Sequence, residues 1–143
     1  MTGIDTTFLI DLEIKESPRH ERAVEIFNKW REEKNSFLFF FCNVFNEFLH
    51  VITDAKRFVN PVPMETAIER CWYWIDHQRV KVVYSSDDSL KRLLLWMSMH
   101  ELGRKRINDT TMAAVYAQEG VSKIITANPA DFEILKTFEV IRY

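Results

Sequence analysis

Short apolar runs alternate along the chain with longer segments in which hydrophobic residues recur every three or four positions. The runs are Met1 to Ile4, Phe37 to Phe41, Val80 to Tyr84, Lys123 to Thr126 and Phe138 to Ile141. They lack the regular polar alternation of a strand with one wet face, so they predict strands covered on both sides, as in a parallel sheet between helix layers. The segments between them predict helices. Ser17 and Pro18 supply an N-cap and a first helical residue ahead of Val24, Phe27 and Trp30 at helical spacing. From about Asn43 to Ala55, one stripe holds Val44, Phe45, Phe48, Leu49 and Ile52. Further helices are expected from Met64 to Asp76, Asp88 to Met99 and Asp109 to Gln118, the last closed by Gly120 in the C-terminal cap position. Val59-Asn60-Pro61-Val62-Pro63 is a loop within one domain spanning residues 1–143. This alternation predicts right-handed crossovers and an α/β fold, a central parallel sheet of four to five strands flanked by helices. Ligands of such folds gather at the carboxyl ends of the strands, near the point where strand order reverses.

Composition supports helices as the bulk of the mass, because three Gly and four Pro are too few for the many tight turns of a β-sandwich. The core should be rich in rings, with Phe 11, Trp 4 and Tyr 4. A formal net charge of −2 excludes a general basic field for nucleic acid, so a polyanion would need a local patch or a metal ion. Cys42 and Cys71 show no C-x-x-C spacing, which argues against a zinc site and for two reduced, packed thiols. The longest apolar run, Phe37 to Cys42, is far too short to span a bilayer, and Asp5 and Asp11 interrupt the first hydrophobic stretch in a way no secretory signal tolerates. A cytoplasmic protein is expected, in which the sequon Asn108-Asp109-Thr110 is a coincidence.

Acids follow the expected strands closely. Asp5 closes the first, Glu47 lies one turn into the helix after the second, and Asp109 opens the late helix on the face of Met112, Ala113 and Tyr116. Asn128 and Asp131 follow the fourth strand. Carboxylates converging in a partly desolvated cleft need a cation between them, and oxygen ligands without His or Cys select Mg2+ or Mn2+ over zinc. Phosphoryl transfer or phosphodiester hydrolysis is the chemistry that such an ion commonly serves.

Four segments carry a family resemblance: Ile4-Asp5-Thr6-Thr7-Phe8-Leu9, Asn46-Glu47-Phe48-Leu49, Asn108-Asp109-Thr110-Thr111-Met112-Ala113-Ala114, and Ile125-Thr126-Ala127-Asn128-Pro129-Ala130-Asp131-Phe132. Together they resemble a PIN-domain ribonuclease, specifically a VapC-type toxin of a toxin–antitoxin pair. The resemblance implies a metal-dependent endoribonuclease with catalytic acids Asp5, Glu47 and Asp109, of which Asp5 and Asp109 are metal ligands. Either Asn128, as a neutral ligand, or Asp131 fills the fourth acidic position, since many relatives carry Asp where this chain has Asn128. Thr7 stands where relatives often carry Asn or Ser, and Thr126 matches a hydroxyl kept near the site. Also implied are hydrolysis by metal-activated water leaving 5′-phosphate and 3′-hydroxyl ends, a homodimer, and an antitoxin segment inserted into the active-site groove. Arg104, Lys105 and Arg106 adjoin Asp109, where they could hold RNA phosphates.

Each acid also has an ordinary explanation. Asp109 could be an N-cap, Asp5 a turn residue, Glu47 a solvated helix-edge charge and Asp131 the cap of a final short turn. Glu47 and His50 make a single Glu-x-x-His spacing without the second copy that a di-iron bundle needs, and His20, His77 and His100 show no ligand spacing. No P-loop, G-x-G-x-x-G, G-x-S-x-G or H-E-x-x-H occurs. Two rivals stand beside the nuclease. One is a haloacid-dehalogenase-like phosphatase, which needs a second Asp where Thr7 stands; the other is a non-catalytic RNA- or protein-binding module.

Overall fold

A computed structural model describes residues 1–143. Its elements run β1 (Thr2–Ile4), α1 (Thr6–Glu13), α2 (His20–Glu32), β2 (Leu38–Phe41), α3 (Cys42–Ile52), α4 (Met64–Ile75), β3 (Val80–Val83), α5 (Asp87–Met99), a 3-10 turn (Arg104–Arg106), α6 (Ile107–Gln118), β4 (Lys123–Thr126), α7 (Ala130–Glu133) and β5 (Glu139–Arg142). The strands form one sheet of order β3-β2-β1-β4-β5, and every pairing is parallel. All five apolar runs are therefore strands of a parallel α/β fold.

The sheet grows leftward from β1 to β2 to β3, then the chain crosses back to place β4 and β5 on the other side of β1. With right-handed crossovers, α1 to α4 cover one face and α5 to α7 the other. β1 and β2 are buried throughout, while the edge strands β3 and β5 are only half covered. The expectation of burial on both faces thus holds for the centre and fails at the rims, where Lys81, Glu139 and Arg142 face solvent. The core is as aromatic as the composition implied. Phe40 stacks on Phe45 with ring centroids 5.3 Å apart, and Trp74 meets Phe40 and Phe27, each at 5.5 Å.

Two helix starts differ from expectation. α2 begins at His20 rather than Pro18: residues 15–19 form a turn in which the Ser17 hydroxyl donates to the Asp11 carboxylate and accepts Arg19 N–H at 3.4 Å. Its buried stripe is Ala23, Ile26 and Trp30, with Val24 and Phe27 only half-buried. α6 begins at Ile107, since the 3-10 turn before it already sets the chain in a helical path, and Asp109 therefore sits in the first turn and is not the cap. The helix from Cys42 stops at Ile52, three residues short of Ala55. At the other end of α6, Gly120 takes φ +71°, the left-handed conformation that glycine adopts freely, and Val121 N–H reaches Tyr116 C=O at 3.0 Å.

One buried side chain ties the sheet together beneath its carboxyl edge. Tyr116, on α6, donates its hydroxyl to Ile4 C=O at 2.7 Å and accepts from Phe41 N–H at 3.0 Å, so a single phenol joins β1 and β2. Its ring lies against Gly3, where an added Cβ would come within 2.6 Å of two ring carbons. Gly3→Ala must push the ring off this bracket. Overpacking of that kind costs about 3 kcal/mol, and urea unfolding of the variant should show the loss.

Candidate active site

The reversal of strand order falls between β1 and β4, and the acids gather there. Asp5 is the residue after β1, with its N–H bonded to Ile125 C=O at 3.0 Å, so it continues the sheet register for one step and then caps α1. It is 5% exposed. Its Oδ2 accepts the hydroxyls of Thr126 at 2.6 Å and Thr7 at 2.8 Å. Thr126 is in turn held by Asn128 N–H at 2.8 Å, so Asn128, exposed itself, acts on the site through its backbone. Glu47 projects from the first turns of α3, exposed to solvent, and its Oε2 accepts the Thr6 hydroxyl at 2.8 Å. Asp109 is half-buried on α6, above the buried Met112, Ala113 and Tyr116.

Charge joins the three acids. Burial, with a smaller contribution from Glu47, raises the Asp5 pKa against the opposing pull of the Thr126 and Thr7 hydroxyls. Burial, then repulsion from Asp5 and Glu47, pushes Asp109 up to about 6, with Arg106 drawing it partly back. None of the three forms an ion pair. Like charges held this close, with none of the three ion-paired and Arg106 offsetting Asp109 only in part, are costly unless a cation or protons arrive.

Asp131 is situated differently. Its carboxylate is ion-paired with Arg106, which leads into α6, and the pair ties α7 to the start of that helix. Arg106 thereby stands between Asp131 and Asp109, whereas Arg104 and Lys105 remain exposed beside it. Both candidates for the fourth acidic position are thus accounted for in hydrogen-bond or charge terms, Asn128 by supporting Thr126 and Asp131 by holding Arg106. His50 lies exposed on α3.

The donor set suits a hard divalent cation in kind: three carboxylates, hydroxyls around them, and no imidazole or thiol. As the side chains stand, no three of them close into a finished shell; Asp5 and Glu47 are each drawn toward threonine hydroxyls. Rotation about the exposed Glu47 side chain is the freest way to tighten the set. A cavity of about 440 Å3 at the far end of α1, between Glu13, Arg57, Phe58 and Arg70, shares no residue with the acids.

Sequence reasoning missed four contributors. Thr6 holds Glu47, Tyr116 fixes the floor, and Asp11 with Tyr143 forms a buried polar post on the flank of α1. Asp11 was visible as an acid inside an apolar helix, four residues after Thr7 and so on the same face.

No protein-family model matches the sequence, and a search of curated proteins gives no match. Solved structures do match. The chain is similar to the Mycobacterium tuberculosis VapC20 toxin, described as cleaving the sarcin–ricin loop, with TM-score 0.66, 18% identity and 87% of each chain covered. It is similar to a toxin–antitoxin complex from Klebsiella pneumoniae, with TM-score 0.66, 16% identity and coverage of 99% and 96%. FitAcB from Neisseria gonorrhoeae gives TM-score 0.68, 14% identity and coverage of 99% and 97%. The PIN-type fold expected from the four sequence segments is the fold these solved structures share with this chain.

Proposed function

We propose that this chain, folded as the VapC-type toxins are, is a Mg2+- or Mn2+-dependent endoribonuclease and the toxin of a type II toxin–antitoxin pair. One observation supports the reading: Asp5, Glu47 and Asp109 lie near one another at the strand-order reversal, none of them in an ion pair and only Asp109 partly offset by Arg106. Asp5, Glu47 and Asp109 would hold the ion. When bound, it supplies a water of lowered pKa and positive charge for the phosphodiester oxygens.

The protein's own groups do the positioning. Thr126 and Thr7 keep the Asp5 carboxylate in one orientation on the rigid end of β1, and Thr6 restrains Glu47. Burial around Asp5 thins out competing water, which strengthens each charge interaction there. Arg104 and Lys105, exposed next to Asp109, offer phosphate contacts along the approaching strand. Alanine at both positions should raise KM for RNA several-fold to tenfold and flatten its salt dependence while leaving kcat near the parent value. Measuring kcat and KM at two ionic strengths checks this.

Two partners belong to the same reading. The antitoxin is proposed because a matched solved structure is a toxin–antitoxin complex. A second copy of the chain is proposed because α4 leaves Met64, Ile68, Trp72 and Ile75 exposed at helical spacing, and Leu90 and Leu94 stand out likewise on α5. Light scattering should give twice the 17.0 kDa of one chain, and Trp72→Glu should return the monomer.

The direct test is incubation with total cellular RNA, with and without Mn2+, followed by sequencing of new 5′ ends. Discrete Mn2+-dependent ends bearing 5′-phosphate are expected. Intact RNA together with no Mn2+-dependent thermal shift would leave a non-catalytic binding module as the better account.

A further inference from the structure

Between α2 and the sheet lies a cavity of about 270 Å3 that shares no residue with the acids at the strand-order reversal. Arg22, Ile26, Lys29 and Trp30 line it from one face of α2, since they follow one another at helical spacing. Opposite them, Ile125 of β4 and Ile141 of β5 are register partners, and so are Thr2 of β1 and Lys123 of β4. Ile26, Trp30 and Ile125 are buried and Ile141 is half-buried, so the wall is apolar and is fixed by the sheet.

Charge is spread unevenly around that wall. Arg22, Lys29, Lys123 and Arg142 line the cavity against one acid, Glu33. The carboxylates that pair with these cations are not part of its lining: Glu25 serves both Arg22 and Lys29, Glu139 meets Lys123 at 3.3 Å, and Glu133 holds Arg142. Arg142 is committed to Glu133 through two of its nitrogens, which leaves Arg22, Lys29 and Lys123 as the cations that a ligand would meet. Their ion pairs are exposed and each is worth little in water, so an incoming anion can share or replace them. An apolar wall under a positive rim is complementary to a molecule of both characters. We propose that this cavity binds a small amphipathic anion, a one-ring acid whose body lies on Ile26, Trp30, Ile125 and Ile141 and whose carboxylate or phosphate stands among Arg22, Lys29 and Lys123. Small-molecule sites run from about 300 Å3 upward. At about 270 Å3 the cavity has room for one ring and its acidic group, and not for a dinucleotide. Trp30 offers no free face to a nucleobase, because it is 5% exposed, with Phe27 stacked on it at 5.4 Å and the Arg79 guanidinium over its ring at 4.2 Å.

The test titrates phenyl phosphate into the full chain, with isotope-labelled indoles followed by NMR in metal-free buffer. The Trp30 Nε1–H signal, assigned by its loss in Trp30→Phe, should shift and saturate, while that of the exposed Trp72 on α4 stays where it is. Benzyl alcohol, which keeps the ring, and inorganic phosphate, which keeps the charge, should each bind about tenfold more weakly. Lys29→Gln combined with Lys123→Gln changes two side chains that reach solvent, so the fold is kept. This double variant should weaken phenyl phosphate on the order of tenfold and leave benzyl alcohol unchanged. A Trp30 signal that does not move overturns the site, as does a double variant that binds phenyl phosphate like the parent. Equal binding of the alcohol or of inorganic phosphate overturns the amphipathic class. Equal shifts at Trp72 and Trp30 would show that any exposed apolar surface takes the ring, and would overturn the proposal as well.

Discussion

Asp109→Asn will cleave RNA on the order of a thousandfold more slowly than the parent chain, and the same change will make the metal-free protein more stable. The two effects have one cause. Asp109 is held near Asp5 and Glu47 in a partly buried cleft, and its pKa is about 6 where an ordinary aspartate lies at 3.8. A difference of that size corresponds to about 3 kcal/mol, which partial exposure to solvent reduces to about 2. Asparagine keeps the shape and removes the charge, so the folded chain no longer bears the cost of burying it or its repulsion from Asp5 and Glu47. Asp5→Asn should act in the same direction on both readouts, since burial raises its pKa too. Urea midpoints at neutral pH, with chelator present, measure the stability; gel or fluorescence assays of RNA measure the rate. A variant that is inactive because it is unfolded would show the opposite change in urea, so a catalytic loss and a structural one separate cleanly.

The second large effect is on pH and metal together. A raised carboxylate pKa in the folded state means that the fold binds the proton more tightly than the unfolded chain does. Stability of the metal-free protein should therefore be complete below about pH 4 and fall by about 2 kcal/mol as pH rises toward 6, through the titration of Asp109. Glu25, lowered by Lys29 and Arg22, slopes the other way, but it is an exposed surface group on α2 whose attraction salt screens. Subtracting the Asp109→Asn profile from the parent profile isolates the site. Mn2+ should reverse the loss, because it binds the ionised carboxylates and stabilises the folded state by about 2.7 kcal/mol at a hundred times Kd. The thermal shift with Mn2+ should be large at pH 7.5 and small at pH 5. An equal shift at both values would mean that the ion binds elsewhere.

What could be foreseen in the sequence follows from the range of each interaction. The central strands were legible because unbroken runs such as Phe37 to Phe41 and Lys123 to Thr126 suit burial on both faces. Asp5 and Glu47 could be placed together because parallel strands deliver their following residues to one edge, whereas Asp109 comes there from the opposite direction, at the start of the helix that leads back to β4. The edges were harder to foresee, because β3 and β5 have a neighbour on one side only, and composition does not reveal which strand is last. Least visible were contacts made by lone side chains across loops. Asp131 with Arg106, and Asp11 with Arg19 and Tyr143, involve no period and no motif, and the last pair spans 132 positions. Ser17 shows the limit of local reasoning: its hydroxyl accepts Arg19 N–H as a cap would, yet it also donates to the buried Asp11 and the helix starts only at His20.

The Tyr116 bracket sets how the site is lost. Phe41 N–H is bonded to a phenol that is wholly enclosed, and Ile4 C=O, the last carbonyl before Asp5, is bonded to the same oxygen. That amide can exchange its hydrogen with solvent only when the middle of the sheet comes apart, whereas amides near the exposed Arg104 and Lys105 open locally. The floor under the acids and the whole molecule consequently melt in one step, while the basic rim above them breathes on its own.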